Sequence, residues 1–198
     1  MPNTQLLINY GPLFLLALAG LWGVARVVYL ARSEQVKVLS VFARKKTGTE
    51  ISLALIALLQ NAYLLARPFV ADVDGWVFTQ PSPLPIFGLI VMGLGLGLMI
   101  ISQLDMGKAW RIGVPQTPEA SQSLITSGVY AYSRNPIYVG VMMFLVGTTI
   151  LLPGPLTVAT TVATFMLVQK IILQEEAFMQ SAFGDQFRAY CQRVHRWV

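Results

Sequence analysis

This sequence predicts an all-α polytopic membrane protein, and three observations support that. Hydrophobic residues make up 55% of the 198 and charged residues only 12%, against about 25% charged in an ordinary soluble domain. The mean hydropathy is +0.62. The few charges are also segregated, lying between long runs that carry none.

The first uncharged run is Met1–Ala25. From Leu6 onward it meets the length of about 20 apolar residues that a bilayer requires. No basic residue precedes it, which sets it apart from a cleaved signal peptide. The second run is Ile51–Ala66, extending past Arg67 if that side chain snorkels outward. The third, Leu84–Leu104, follows the breaker Gln80-Pro-Ser-Pro-Leu-Pro85. From Asn135 to Gln169 there is again no charge, and as one helix that stretch would extend about 52 Å. Pro153-Gly154-Pro155 therefore splits it into two antiparallel spans. The expectation is about five transmembrane helices, the last two forming a helical hairpin, with a cytoplasmic loop and a C-terminal interfacial helix. For that last element, Phe183, Phe187, Tyr190 and Val194 make an apolar helical stripe flanked by arginines, the pattern of a helix lying on a membrane surface.

Lys and Arg gather on alternate sides of these spans. Arg32, Lys37, Arg44, Lys45 and Lys46 lie in the first loop, Lys108, Arg111 and Arg134 in the third, and Arg188, Arg193 and Arg196 in the tail, while the second loop carries Asp72 and Asp74. The positive-inside rule then puts the N-terminus outside and the C-terminus in the cytoplasm, in the inner membrane if the cell is bacterial. The net charge of +5 reads as topology rather than as a nucleic-acid interface. One cysteine (Cys191) excludes an internal disulfide, and one histidine (His195) with one cysteine cannot build a His/Cys zinc site. No metal is expected.

Chemistry is expected at the open end of the hairpin. Counting 18 residues back from Gly154 reaches Pro136, and counting 21 forward reaches Glu175; the difference is about one helical turn or less. Ser133-Arg134-Asn135-Pro136 and Glu175-Glu176 should therefore lie at similar depth. Pro136 suits the first helical position with Asn135 as its cap, so free N–H groups and Arg134 make an anion-binding corner beside two carboxylates. Such a corner suits a zwitterion. A purely structural alternative is that Arg134 anchors the helix and pairs with Glu176. Other features read as packing. Gly93-Leu-Gly-Leu-Gly97 is a small-residue face inside a span, able to serve a second copy of the chain, and Gly140 and Gly147 allow close helix approach. Thr157, Thr160, Thr161 and Thr164 bond along one helical face. Trp22, Trp76, Trp110 and Trp197 are candidates for the interface belt.

Asp105-Met-Gly-Lys-Ala-Trp-Arg-Ile-Gly113, Leu124-Ile-Thr-Ser-Gly-Val-Tyr130, Ser133-Arg-Asn-Pro-Ile-Tyr138, Glu175-Glu176 and Phe183-Gly-Asp-Gln-Phe-Arg-Ala-Tyr190 occur in that order. This series resembles the isoprenylcysteine carboxyl methyltransferase and phospholipid methyltransferase group of integral membrane enzymes, over roughly residues 103–198. The resemblance implies an S-adenosyl-L-methionine-dependent transferase with a cytoplasmic cofactor site and a lipophilic acceptor entering from the membrane lipids. It divides the chain into a three-helix transmembrane region, 1–104, and a methyltransferase-like region, 105–198. In the family a histidine usually stands where Gln122 stands here, and Arg-His-Pro is Arg134-Asn135-Pro136. Both substitutions keep a hydrogen-bonding side chain and remove a titratable one.

By the same resemblance, Arg134 pairs with the methionyl carboxylate, and Glu175 or Glu176 with the ammonium or the ribose. Leu124, Ile125, Gly128 and Tyr130 belong to the adenine side, Gln122 is a further cofactor-binding candidate, Asn135 and Pro136 shape the corner, and Tyr138 orients the sulfonium or the acceptor. Arg134, Glu176 and Tyr138 are the candidate catalytic residues. Two rival readings are an NAD(P)H-dependent membrane reductase of the sterol reductase type and a non-catalytic membrane scaffold.

Overall fold

The structure is a computed structural model that describes residues 2–33, 47–80, 82–107, 110 and 123–198. Gln122 lies outside the described residues, as do Lys37, Arg44, Lys45, Lys46, Lys108 and Arg111 of the basic loops. The helices are α1 (Pro2–Ser33), α2 (Gly48–Ala66), α3 (Val73–Trp76), α4 (Pro85–Met106), α5 (Pro136–Leu151), α6 (Pro155–Phe183) and α7 (Asp185–Arg193), with a 3-10 turn at Gly128–Ala131. Four of them, α1, α2, α4 and α6, are long and apolar enough to cross a membrane. The fifth apolar helix, α5, has 16 residues, about 24 Å of length.

Local chemistry sets where these helices begin. Pro85, Pro136 and Pro155 each stand at a helix start, where the missing N–H would have had no partner in any case. Thr47 and Glu50 form a reciprocal capping box at the start of α2.

The tightest packing is between antiparallel α4 and α5. A Cβ built at Gly95 would lie 2.6 Å from the Gly140 carbonyl oxygen and the Phe144 nitrogen, and one at Gly147 would lie 2.6 Å from the Met92 nitrogen. Gly88 and Gly95 thus meet Gly147 and Gly140 along one seam where the two backbones touch. The seam confirms the role read for Gly140 and Gly147 and leaves Gly93 and Gly97 outside it. Both of these face open space, because only Gly95 of the three lies in register with Gly88, two turns away. Around the seam, Ile8, Tyr63, Leu64, Met92, Leu96, Phe144, Leu151 and Leu152 form the main buried cluster.

Arg67 corrects another expectation. It does not snorkel outward but is buried, with Nε and Nη2 each 2.7 Å from the Asp74 carboxylate and Nη1 donating to the Ile8 carbonyl at 3.0 Å. The physical reason lies in α1. Pro12 has no N–H to give the carbonyl four residues earlier, which is that of Ile8, and Arg67 supplies the missing donor. Tyr63 completes the group by donating to Asp74 at 2.8 Å. Partial burial works against the Asp74 carboxylate, but the hydrogen bonds from Arg67 and Tyr63 and the guanidinium charge outweigh it, holding the group below its ordinary range.

Three of the four threonines bond as expected. Thr157 donates to the Leu152 carbonyl at 2.7 Å, Thr160 binds Gln60 on α2, and Thr161 meets Thr149 on α5 at 2.9 Å. Of the tryptophans, Trp76 is largely exposed, as an interface belt requires. The other three turn against the protein: Trp22 bonds to Gln103, Trp110 is buried beside Leu30, and Trp197 stacks on Phe165. The C-terminal stripe also turns inward. Gly184, at φ +52°, ends α6 and redirects α7, so Phe187 and Tyr190 are buried over a cavity rather than laid on a membrane surface.

Candidate active site

The open end of the α5–α6 hairpin brings the predicted corner together. Arg134 Nη2 lies 3.2 Å from Glu176 Oε1, and the Tyr138 hydroxyl donates to Glu175 Oε1 at 2.8 Å. Two adjacent carboxylates on α6 are thus engaged by two residues at the entry to α5. A third partner comes from the tail, where Arg196 Nη2 lies 2.6 Å from Glu176 Oε2.

The tail is fastened alongside this corner by backbone contacts. The Arg134 N–H donates to the His195 carbonyl and Asn135 Nδ2 to the Arg196 carbonyl, both at 3.0 Å. Asn135 does occupy the cap position of α5, but its side chain makes no cap bond and is turned to the tail by its Nδ2 bond to the Arg196 carbonyl. The corner therefore holds two guanidiniums and two carboxylates. Nε of Arg134 is buried and has no hydrogen-bond partner among the described residues. A buried donor of that kind is costly unless something accepts from it.

The 3-10 turn forms one wall. Asp105, at the end of α4, accepts the Val129 N–H at 2.8 Å. Gly128 sits against that carboxylate at φ +61°, where a Cβ would have no room. The Tyr190 hydroxyl donates to the Tyr130 carbonyl at 2.6 Å, tying α7 to the turn. Burial pushes the Tyr190 phenol up to about 12 against the pull of the Arg134 guanidinium, and burial raises Tyr130 as well. Both therefore stay neutral at physiological pH.

These elements enclose a cavity of about 470 Å³, within the size range of small-molecule sites. Leu124, Ile125, Tyr130, Arg134, Asn135, Tyr138, Glu175 and Glu176 line it. Of the other predicted residues, Gly128 and Pro136 shape the backbone without facing the space. Sequence reasoning missed Gln103, Met99 and Met106 from α4, Phe178 and Met179 from α6, and Phe187 and Tyr190 from α7. For α7, the helical stripe was the available signal. The α4 residues carry none, because their inward face is set by the glycine seam with α5 and by contacts from α1.

A sequence model of the phospholipid methyltransferase family matches residues 84–186. The chain belongs to this family. The probable protein-S-isoprenylcysteine O-methyltransferase of Oryza sativa subsp. indica is 27% identical over 186 residues, covering 90% of this chain and 95% of the rice protein. The protein-S-isoprenylcysteine O-methyltransferase of Tribolium castaneum is 37% identical over 108 residues, 54% of this chain and 38% of that one. The solved structure of the eukaryotic intramembrane Ras methyltransferase ICMT (isoprenylcysteine carboxyl methyltransferase) superposes with a TM-score of 0.68 at 25% identity, covering 98% of this chain and 67% of that one. The protein is thus an integral membrane methyltransferase. As a methyltransferase it requires a methyl donor, and the reductase and scaffold readings fall away.

Proposed function

We propose that this methyltransferase uses S-adenosyl-L-methionine to methylate the carboxylate of a lipophilic, isoprenylcysteine-like acceptor. The observation that carries the reading is the meeting of Arg134, Glu175, Glu176 and Tyr138 at one end of a cavity that Met99, Met106, Val141 and Met179 also line. A charged, zwitterion-matching end joined to an apolar remainder suits a polar donor and a greasy acceptor held together.

The donor set fits the cofactor. Arg134 keeps a buried, unpartnered Nε, suited to a carboxylate. Glu175 and Glu176 suit an ammonium or ribose hydroxyls. Leu124, Ile125 and Tyr130 offer an apolar wall for a base, and Gln122 is a further cofactor-binding candidate. S-adenosylmethionine, when bound, supplies a methyl group on a sulfonium; a C–O bond to the acceptor forms as the C–S bond breaks, the electron pair leaving on sulfur, and no proton moves. The chain's task is therefore alignment and exclusion of water. A carboxylate acceptor also matches the side chains at hand, because it arrives already nucleophilic and asks no proton transfer of Glu175 or Glu176, which Tyr138 and two arginines hold in place. The alternation of basic and acidic loops supports a cytoplasmic site with the N-terminus outside.

The test is methyl transfer from labelled S-adenosylmethionine by the purified full chain, offered an S-farnesylcysteine derivative and a total lipid extract. Base-labile label in the farnesylcysteine product, a methyl ester, is expected. Label confined to soluble acceptors, or to base-stable N-methyl products, would overturn the reading.

A further inference from the structure

The missed residue Gln103 occupies an unusual position. It faces the cavity from the last turn of α4, and its side chain is oriented from outside the cavity by α1. Trp22 Nε1 donates to Gln103 Oε1 at 2.9 Å. An indole N–H can only donate, so the amide oxygen must face it and the NH2 group must point elsewhere. That NH2 makes no hydrogen bond among the described residues, and it is not sealed in the protein interior. The backbone is equally fixed. Arg26, buried on α1, donates through Nη2 to the carbonyls of Gln103 at 2.9 Å and Gly107 at 2.8 Å, closing the end of α4 where helix carbonyls lack partners. Met99 and Met106, one turn to either side, also line the cavity. The result is a rigid, neutral pair of N–H donors on the helix that carries the apolar wall, on a different element from the charged corner.

We propose that Gln103 is a specificity-determining residue that holds the acceptor's carboxylate through its NH2 group, and that Trp22 is a positioning residue that fixes which end of the amide faces the cavity. This rests on the methyl-acceptor reading above and names the group that distinguishes acid from ester. An N–H to carboxylate bond is charge-assisted and roughly twice as strong as one to a neutral oxygen. The amide thus favours the acid substrate and releases the methyl ester, whose oxygens accept only weakly. A guanidinium in its place would tie up the attacking lone pairs in a tight ion pair, whereas a neutral amide orients the carboxylate and leaves it nucleophilic. An amine or ammonium acceptor would find only donors here.

The test uses the full chain in detergent, saturated with S-adenosylhomocysteine, and compares binding of N-acetyl-S-farnesylcysteine with that of its methyl ester in wild type, Gln103→Leu, Gln103→Glu and Trp22→Phe. Steady-state KM and kcat for the acid are measured alongside. Wild type is expected to prefer the acid. Gln103→Leu should raise its KM about tenfold and abolish the acid-over-ester preference, with donor affinity unchanged. Gln103→Glu should weaken the acid further by charge repulsion. Trp22→Phe should show a smaller loss in the same direction, mainly in KM. Unchanged donor affinity certifies that each variant is folded, and a variant failing that control is replaced by Gln103→Met, for which the same outcomes apply. A wild type that binds donor yet methylates no farnesylcysteine acid overturns the acceptor reading and this proposal with it. A wild type that methylates it while Gln103→Leu keeps both KM and acid preference overturns the Gln103 assignment alone.

Discussion

Arg196 holds Glu176 from the tail side, its Nη2 lying 2.6 Å from Oε2, while Arg134 takes the other oxygen at 3.2 Å. The carboxylate is thus pinned between two guanidiniums, one of them on the last described segment of the chain. Arg196 sets the direction in which Glu176 faces the cavity. We predict that Arg196→Ala weakens S-adenosylmethionine binding by about three- to fivefold, the modest scale of a partly exposed ion pair, and that Arg196→Lys recovers part of it. Titration calorimetry giving the wild-type affinity for the alanine variant would refute this role.

The α4–α5 seam makes a sharper prediction about stability. Gly95→Ala places a methyl against the backbone of α5 at Gly140 and Phe144, and overpacking of that kind costs about 1–3 kcal/mol. Gly93→Ala meets open space and should be neutral or slightly stabilising through helix propensity. Thermal unfolding in detergent should separate the two, with a lower Tm for Gly95→Ala only; equal Tm values would place the seam elsewhere.

Gly128→Ala should damage the site rather than the bundle. The residue stands at φ +61° against the Asp105 carboxylate, and a side chain in the left-handed region alone costs about 1–2 kcal/mol. The turn must then shift, carrying Tyr130 with it. Donor affinity should fall about tenfold alongside a modest drop in Tm, and wild-type affinity in the folded variant would contradict this assignment.

The Arg67–Asp74 pair governs a pH response on the other side of the bundle. Asp74 is held below its ordinary value in the fold, so its contribution is present above the unfolded carboxylate's pKa of about 3.9. That contribution is lost as pH falls through the lower folded value. Between neutral pH and about pH 3, Asp74→Asn should lose less stability than wild type, starting from a lower Tm at pH 7. Parallel Tm profiles for the two proteins would rule the pair out as the source.

Much of this architecture was legible because it is written in local chemistry. Uncharged runs mark α1, α2 and α4, Pro153-Gly154-Pro155 marks the α5–α6 turn, and residue counting along the hairpin places Arg134 beside Glu176. What stayed hidden depends on partners far apart in the chain. Arg67 turns inward because Pro12 leaves the Ile8 carbonyl unmatched, a need that hydropathy does not register. Gly95 rather than Gly93 packs because its register with Gly88 is set by α5. Gln103 owes its orientation to Trp22 on another helix. The stripe of α7 was correctly periodic, but period alone does not distinguish a face turned to lipid from one turned to a cavity, and Gly184 decided between them.

The most direct test of the account is S-adenosylmethionine binding to the purified full chain, measured by calorimetry for wild type, Arg134→Ala and Glu176→Ala. Hydrogen bonds to charged groups contribute about 1.5–3 kcal/mol each, so each variant should lose at least about tenfold in affinity while remaining folded by thermal melt. Wild-type affinity in both folded variants would contradict the claim that these two side chains form the donor site.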